Sequence, residues 1–170
     1  MEHMVYKSTS GADEAVLSAE AVLNGIAKDG GLYVPAAIPA LDTPLERLAA
    51  LSYRQLACKI LSLYLTDFSA EEIKEAVESA YDEKFDTREP AVLKTLGGTH
   101  FLELFHGPTL AFKDMALTLL PHLLKTAVKK TGQTKEVVIL TATSGDTGKA
   151  ALEGFADVEG TKIIVFFPQH

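Results

Sequence analysis

Two short, almost wholly apolar runs separated by a helix-forming stretch restrict the folds that this sequence can adopt. Residues 137–140 and 163–167 contain only Val, Ile, Leu and Phe, and the intervening residues 147–155 favour a helix. Such runs are typical of parallel strands that are covered on both faces, and a helix between two strands indicates a right-handed crossover. The sequence therefore predicts an α/β fold with a three-layer, parallel-sheet domain.

The preceding residues extend the same pattern. Residues 91–96 and 99–105 are strand-like and are separated by Gly97 and Gly98, which favour a hairpin turn. After them we expect a helix over 112–130, a strand over 136–141, a helix over 147–155 and a strand over 162–167. The sequence then stops directly after a strand. We therefore expect this domain, residues 91–170, to be truncated.

Residues 1–90 are predicted to form a mainly helical N-terminal domain. Helical spacing of apolar residues indicates a short helix over 18–27 and mostly helix over 45–85. Thr43-Pro44-x-Glu46 and Ser69-x-x-Glu72 have the composition of helix N-termini. Gly30 and Gly31 between these regions predict a tight turn into an extended segment.

Composition excludes several classes of protein. A chain of 170 residues with 47% hydrophobic and 23% charged residues is globular, and a net charge of −7 disfavours binding to nucleic acid or to anionic membranes. Cys58 is the only cysteine, and the histidines show no metal-ligand spacing. Since no apolar run reaches about 18 residues and no export signal is present, we expect a cytoplasmic protein without a membrane span.

Two loops carry the candidate chemistry, each predicted between a strand and a helix, where open α/β sheets bind ligands. The first reads HGPTLAFKD over residues 106–114. Lys113 is expected near the N-terminus of the following helix, whose field favours the neutral amine, a good nucleophile toward an aldehyde. Without its neighbours, a lysine there would simply be a solvated charge.

The second loop reads TATSGDTG over residues 141–148. Small hydroxyl residues and glycines at a helix N-terminus present N–H and O–H donors to an anion. An ordinary capped helix start is the alternative. A nucleotide-binding P-loop is excluded, because it needs glycine at Thr143 and Ser or Thr at Ala150.

The sequence of residues 106–114 resembles the cofactor-lysine segment of the threonine synthases, which are fold-type II pyridoxal-phosphate (PLP) enzymes. Residues 8–11 and 21–35 resemble the opening of the same family, so the likeness covers nearly the whole chain. The resemblance implies that Lys113 forms the Schiff base with PLP and then moves protons, and that Asp146 contacts the cofactor. Phe112 is assigned to the cofactor site, with packing at the edge of the core as the alternative. It assigns the substrate carboxylate to Thr143, Ser144, Gly145, Asp146 and Thr147.

The resemblance also implies the reaction, which converts O-phospho-L-homoserine and water to L-threonine and phosphate. Aspartate at position 146 is typical of this family, whereas Ser10 stands where members often have arginine. His106 is either a proton carrier or a structural residue. Neither a glycine-rich loop for the cofactor phosphate nor a partner for the pyridine nitrogen can be assigned, so we expect this chain alone to bind PLP weakly and to be inactive.

Two alternatives remain open from the sequence. A PLP-dependent phospho-lyase or amino-acid dehydratase would share Lys113 but release a 2-oxo acid. A non-catalytic folding or interaction module derived from such an enzyme would use neither loop for chemistry. The oligomeric state is not predicted.

Overall fold

A computed structural model describes residues 3–12, 14–143 and 145–169 of the chain. The fold is mixed α/β, as predicted. Contacts divide the chain into two compact units, one of Met1–Val77 with Leu123–Gln133 and the other of Glu78–His122 with Thr134–His170. In chain order, the elements up to residue 80 are β1 (Val5–Ser8), β2 (Val16–Leu17), α1 (Ser18–Asn24), β3 (Tyr33–Pro35), α2 (Leu45–Leu48), α3 (Tyr53–Tyr64) and α4 (Ala70–Ala80).

The N-terminal strands form a small antiparallel sheet in the order β2-β1-β3, which the sequence analysis did not predict beyond the extended segment at β3. Asp29 holds the turn before β3, because its Oδ1 accepts from the Ser8 hydroxyl at 2.6 Å and from the Gly31 N–H at 3.0 Å. A Cβ on Gly31 would lie 2.1 Å from Ser8 Oγ, so only glycine fits there. The predicted tight turn is confirmed.

The predicted helical region over 45–85 is confirmed as α2, α3 and α4. Ser69 and Glu72 form the predicted reciprocal cap, with Glu72 N–H donating to Ser69 Oγ at 3.2 Å and Ser69 N–H to Glu72 Oε2 at 2.7 Å. The predicted cap at Thr43 is wrong. Pro44 occupies the capping position of α2, so the Thr43 hydroxyl lies one residue too early and instead donates to Asp42.

The second half contains β4 (Val92–Leu96), β5 (Thr99–Glu103), α5 (Asp114–Leu117), α6 (Leu120–Thr131), β6 (Val137–Ala142), α7 (Asp146–Gly154) and β7 (Thr161–Phe166). β4 and β5 form the predicted hairpin, with Gly97 at φ +56° and Gly98 at φ +82°. Positive φ at both positions requires the glycines. β6 precedes α7 in the chain and β7 follows it, and the two strands pair in parallel. This confirms the predicted unit of two parallel strands connected by a helix.

The predicted helix over 112–130 is interrupted in the structure. It forms α5 and α6, with Thr118 and Leu119 between them. Pro121 explains the break, since proline has no N–H and its ring clashes with the carbonyl four residues earlier in a continuous helix. As the second residue of α6, Pro121 needs no helical donor.

The β6–β7 pair is covered on one face by the described residues, whereas its apolar sequence predicts cover on both. α7 packs closely on one face, where a Cβ on Gly148 would lie 2.8 Å from Val165 Cγ1. On the other face Leu140 and Phe166 are 66% and 60% exposed. Successive strand side chains point to opposite faces, so every second residue of β6 and β7 lies on the uncovered face.

None of the helices in the described part of the chain has both the length and the hydropathy of a membrane span.

The buried face of α4 is the first place to test the core. Ile73 is 2% exposed, whereas Ile38 is 86% exposed. We expect Ile73→Ala to lower the free energy of unfolding by about 2–5 kcal/mol, because the substitution leaves a cavity. Ile38→Ala removes the same atoms from the surface and should change the free energy of unfolding by less than about 0.5 kcal/mol. Urea unfolding of the two variants compares them, and equal effects would contradict the assigned burial.

Candidate active site

The loop that carries Lys113 is closed by a buried carboxylate. Asp114 is 1% exposed. Its Oδ2 accepts from the Thr109 N–H at 2.8 Å, and its Oδ1 accepts from the Thr109 hydroxyl at 2.7 Å. Gly107 lies against the same side chain, since a Cβ there would be 2.5 Å from Asp114 Cβ. The two ends of the loop are thus held together directly beside Lys113.

The loop tip is strained. Leu110 has φ +59°, and its N–H donates to the Gly107 carbonyl at 3.0 Å in a tight turn. For a residue other than glycine this conformation costs roughly 1–2 kcal/mol. Such strain persists only where surrounding contacts determine the backbone, and the Thr109–Asp114 hydrogen bonds are those contacts.

Lys113 directly precedes α5 and is half-buried. Its Nζ lies 4.8 Å from the centroid of the Phe112 ring, an arrangement that allows a cation–π contact. Phe112 is 57% exposed and therefore does not pack in the core. Because α5 has only four residues, the expected influence of a helix field on the Lys113 amine is weak.

The second loop joins β6 to α7. The Thr143 N–H donates to the Phe166 carbonyl at 3.0 Å, and Thr143 Oγ1 accepts from the Gly145 N–H at 3.3 Å. Gly145 precedes α7 without a side-chain cap, and both Gly145 and Asp146 are exposed. The Thr143 hydroxyl thus satisfies one backbone donor before the helix, as it would at an ordinary capped helix start. Thr147 is half-buried in the first turn, and Ser144 lies outside the described residues.

The two loops are joined by α7. Lys149 Nζ donates to the Thr109 carbonyl at 3.2 Å. Further along the helix, a Cβ on Gly154 would lie 2.1 Å from the Leu117 carbonyl oxygen, so α7 packs directly on α5 through a glycine. The helix that begins with the candidate anion-binding loop is therefore fixed against the Lys113 loop.

His106, at the start of the Lys113 loop, contacts two carboxylates. Its Nδ1 lies 2.7 Å from Asp86 Oδ1, and its Nε2 lies 3.0 Å from Glu103 Oε2. The hydrogen bond to Glu103 raises the pKa of His106; burial of the ring opposes that increase, and Asp86 adds to it. His106 and Lys94 both lower the pKa of Glu103.

Sequence reasoning missed Thr109, Asp114 and Lys149. Asp114 could have been suspected, since an aspartate near a Gly-Pro turn often accepts hydrogen bonds from the local backbone. Lys149 gave no usable signal, because its partner is a carbonyl 40 residues away in the sequence.

A primary amine on an ordered loop fits the covalent binding of an aldehyde cofactor. Backbone N–H groups at a helix start such as that of α7 are the kind of donor that fits a carboxylate. Within residues 3–12, 14–143 and 145–169, no group of His, Cys, Asp and Glu side chains is arranged to hold a metal ion. The described residues thus hold the Lys113 loop and the loop between β6 and α7 side by side.

Comparisons with known proteins show similarity to threonine synthases along nearly the whole chain. Residues 5–81 match the family model described as Threonine synthase N terminus. The chain is 38% identical to threonine synthase of Schizosaccharomyces pombe and 41% identical to that of Pseudomonas aeruginosa, over 96% and 98% of its length. It also resembles the PLP-bound threonine synthase of Brucella melitensis, with a TM-score of 0.86 and 36% identity over 98% of the chain.

The chain is thus a homologue of the N-terminal part of threonine synthases, which confirms the resemblance found in the sequence. It spans about a third of the relatives' length, namely 34% of the S. pombe protein, 36% of the P. aeruginosa protein and 36% of the B. melitensis chain.

Thr109→Val tests the closure of the Lys113 loop. Valine has the shape of threonine but no hydroxyl, so the buried Asp114 Oδ1 loses its donor, and we expect the free energy of unfolding to fall by about 1–3 kcal/mol. Thr99→Val is the matched control, because Thr99 is exposed in β5. Chemical denaturation measures both variants, and an unchanged stability for Thr109→Val would contradict the closure.

Proposed function

We propose that this chain is the N-terminal segment of a PLP-dependent threonine synthase, which converts O-phospho-L-homoserine and water to L-threonine and phosphate. The observation that carries the proposal is similarity to threonine synthases over 96–98% of the chain, which includes the ordered Lys113 loop. The PLP-bound state of the B. melitensis relative supports PLP as the cofactor.

In this proposal Lys113 binds the cofactor aldehyde, and the same amine then takes up and returns protons at the substrate carbons. PLP supplies an electron sink for the negative charge left when those protons depart. The residues around Lys113 contribute by positioning its amine. The Thr109–Asp114 closure fixes the backbone that presents the amine, and the Phe112 ring lies beside Nζ. We assign Phe112 to the cofactor side of the site.

We assign the substrate carboxylate to the second loop. Backbone N–H groups at the start of α7 and the hydroxyls of neighbouring residues are suitable donors for a carboxylate. Asp146 is exposed at the first helical position. Beside anionic ligands its own carboxylate requires a proton or a compensating cation. The residues assigned to this loop are Thr143, Ser144, Gly145, Asp146 and Thr147.

We further propose that residues 1–90 act as a family-specific N-terminal domain and that residues 91–170 supply the Schiff-base lysine and carboxylate loop. The groups for the cofactor phosphate and the pyridine nitrogen would come from elsewhere in a longer protein. A small-molecule substrate and a cytoplasmic setting remain the predicted partner and compartment.

The first test is Lys113→Ala in the longer protein. Removal of the amine should leave the fold intact and reduce threonine formation by at least about a hundredfold, the lower range for loss of a general acid–base group. Lys129→Ala, which removes an exposed lysine from α6, is the matched control and should retain activity. Near-normal turnover by folded Lys113→Ala would refute the assignment.

Product analysis distinguishes the nearest alternative. With O-phospho-L-homoserine, the proposed enzyme releases L-threonine and phosphate, whereas a phospho-lyase or dehydratase releases a 2-oxo acid. Chromatographic detection of threonine against a keto-acid assay separates the two, and a 2-oxo acid as the main product would replace the proposed reaction with that alternative.

A further test uses the 170-residue chain alone. We expect weak PLP binding and no threonine formation, because the contacts to the cofactor phosphate and to the pyridine nitrogen cannot be assigned to residues of this chain. Absorbance titration with PLP and a threonine assay measure these outcomes. Tight binding together with turnover would mean that this segment holds a complete site.

A further inference from the structure

The His106 ring lies between two groups that accept hydrogen bonds. Nδ1 is 2.7 Å from an Asp86 oxygen and Nε2 is 3.0 Å from a Glu103 oxygen. An ionised carboxylate can only accept. Each ring nitrogen must therefore carry a proton for both contacts to be hydrogen bonds. The arrangement matches an imidazolium and neither of the two neutral tautomers.

The surrounding charges fit this assignment. Glu103 comes from β5, and Asp86 comes from the segment that follows α4. Lys94 of β4 lies 3.1 Å from Glu103 and shares that carboxylate with the ring. The Phe105 ring, 4.7 Å from the imidazole centroid, covers it without contributing a charge. Two carboxylates thus face one ammonium and one imidazolium, and the local charge balances only when His106 is protonated.

The same residue fixes the start of the Lys113 loop. Besides the ring contacts, the His106 carbonyl accepts from the Asp86 N–H at 3.0 Å. The next residue, Gly107, packs on Asp114. Side chain and main chain together hold the loop at its first residue, as Asp114 holds it at its last.

We propose that His106 remains an imidazolium at neutral pH and serves as a positioning residue for the Lys113 loop. It is not a proton carrier, since loss of either ring proton would place a nitrogen lone pair against a carboxylate. The importance of the loop rests on the proposed function of Lys113, whereas the charge state of His106 does not.

The pH dependence follows from the direction of the shift. The pKa of His106 is raised in the folded protein, so the folded state holds the proton more tightly than the unfolded chain. The stabilisation is complete below the unfolded value of about 6.5. It is lost as the pH rises through the higher folded pKa.

The charge state is tested by ¹⁵N-detected NMR titration of the histidine rings in the 170-residue chain. We expect His106 to show two protonated nitrogens at pH 7 and to titrate above about 6.5, the ordinary histidine value. Glu103→Gln should lower the pKa of His106. Glu153→Gln, on the exposed side of α7, is the matched control and should leave the pKa of His106 unchanged. A neutral His106 ring at pH 7 would overturn the proposal.

The positioning role is tested by hydrogen exchange at the loop amides, without PLP. His106→Gln should accelerate exchange of the Thr109 and Leu110 amides roughly tenfold at pH 7, as expected for loss of a charge-assisted contact. The variant's exchange should also be less pH-dependent between pH 6 and 8. Unchanged exchange in the loop of the folded variant would refute the role. If this variant does not fold, Glu103→Gln provides the same comparison as the pH rises.

Failure of the proposed function gives a different pattern. If Lys113 does not bind PLP, the titration of His106 and the loop exchange keep their expected values, since neither measurement involves the cofactor. If His106 is neutral while Lys113→Ala abolishes turnover, the proposed function stands and the positioning role fails.

Discussion

The candidate site depends on the hydrogen bonds between the buried carboxylate of Asp114 and Thr109. These two residues close a short loop whose tip is strained at Leu110, and Lys113 immediately precedes the carboxylate that closes it. A buried carboxylate is costly unless its oxygens are satisfied, so Asp114 and Thr109 each require the other. An amine on such a loop has a defined position, which catalysis by a lysine requires and a surface lysine lacks.

The second candidate loop obtains its position through helix packing. Lys149 reaches the Thr109 carbonyl, and Gly154 lets α7 approach α5 without a side chain between them. Both contacts end on the segment that carries Lys113. A shift of either helix would therefore move the loop between β6 and α7 relative to the Lys113 amine, so Lys149 and Gly154 help to set the geometry of the candidate site.

The sequence predicted the features that depend on local chemistry. The Gly97-Gly98 hairpin, the cap between Ser69 and Glu72 and the parallel unit around α7 arise from short-range backbone preferences and apolar spacing, and all are present. It did not predict contacts between distant residues, such as Lys149 with Thr109. Such pairs depend on tertiary placement, which periodicity cannot provide.

Reductive trapping shows directly whether the Lys113 amine binds the cofactor. The longer protein is incubated with PLP, reduced with borohydride and digested, and the modified lysines are located by mass spectrometry. We expect the phosphopyridoxyl group to be concentrated on Lys113, because its ordered loop and its resemblance to the cofactor-lysine segment of threonine synthases assign it to an aldehyde. Modification spread over exposed lysines, with none at Lys113, would contradict it.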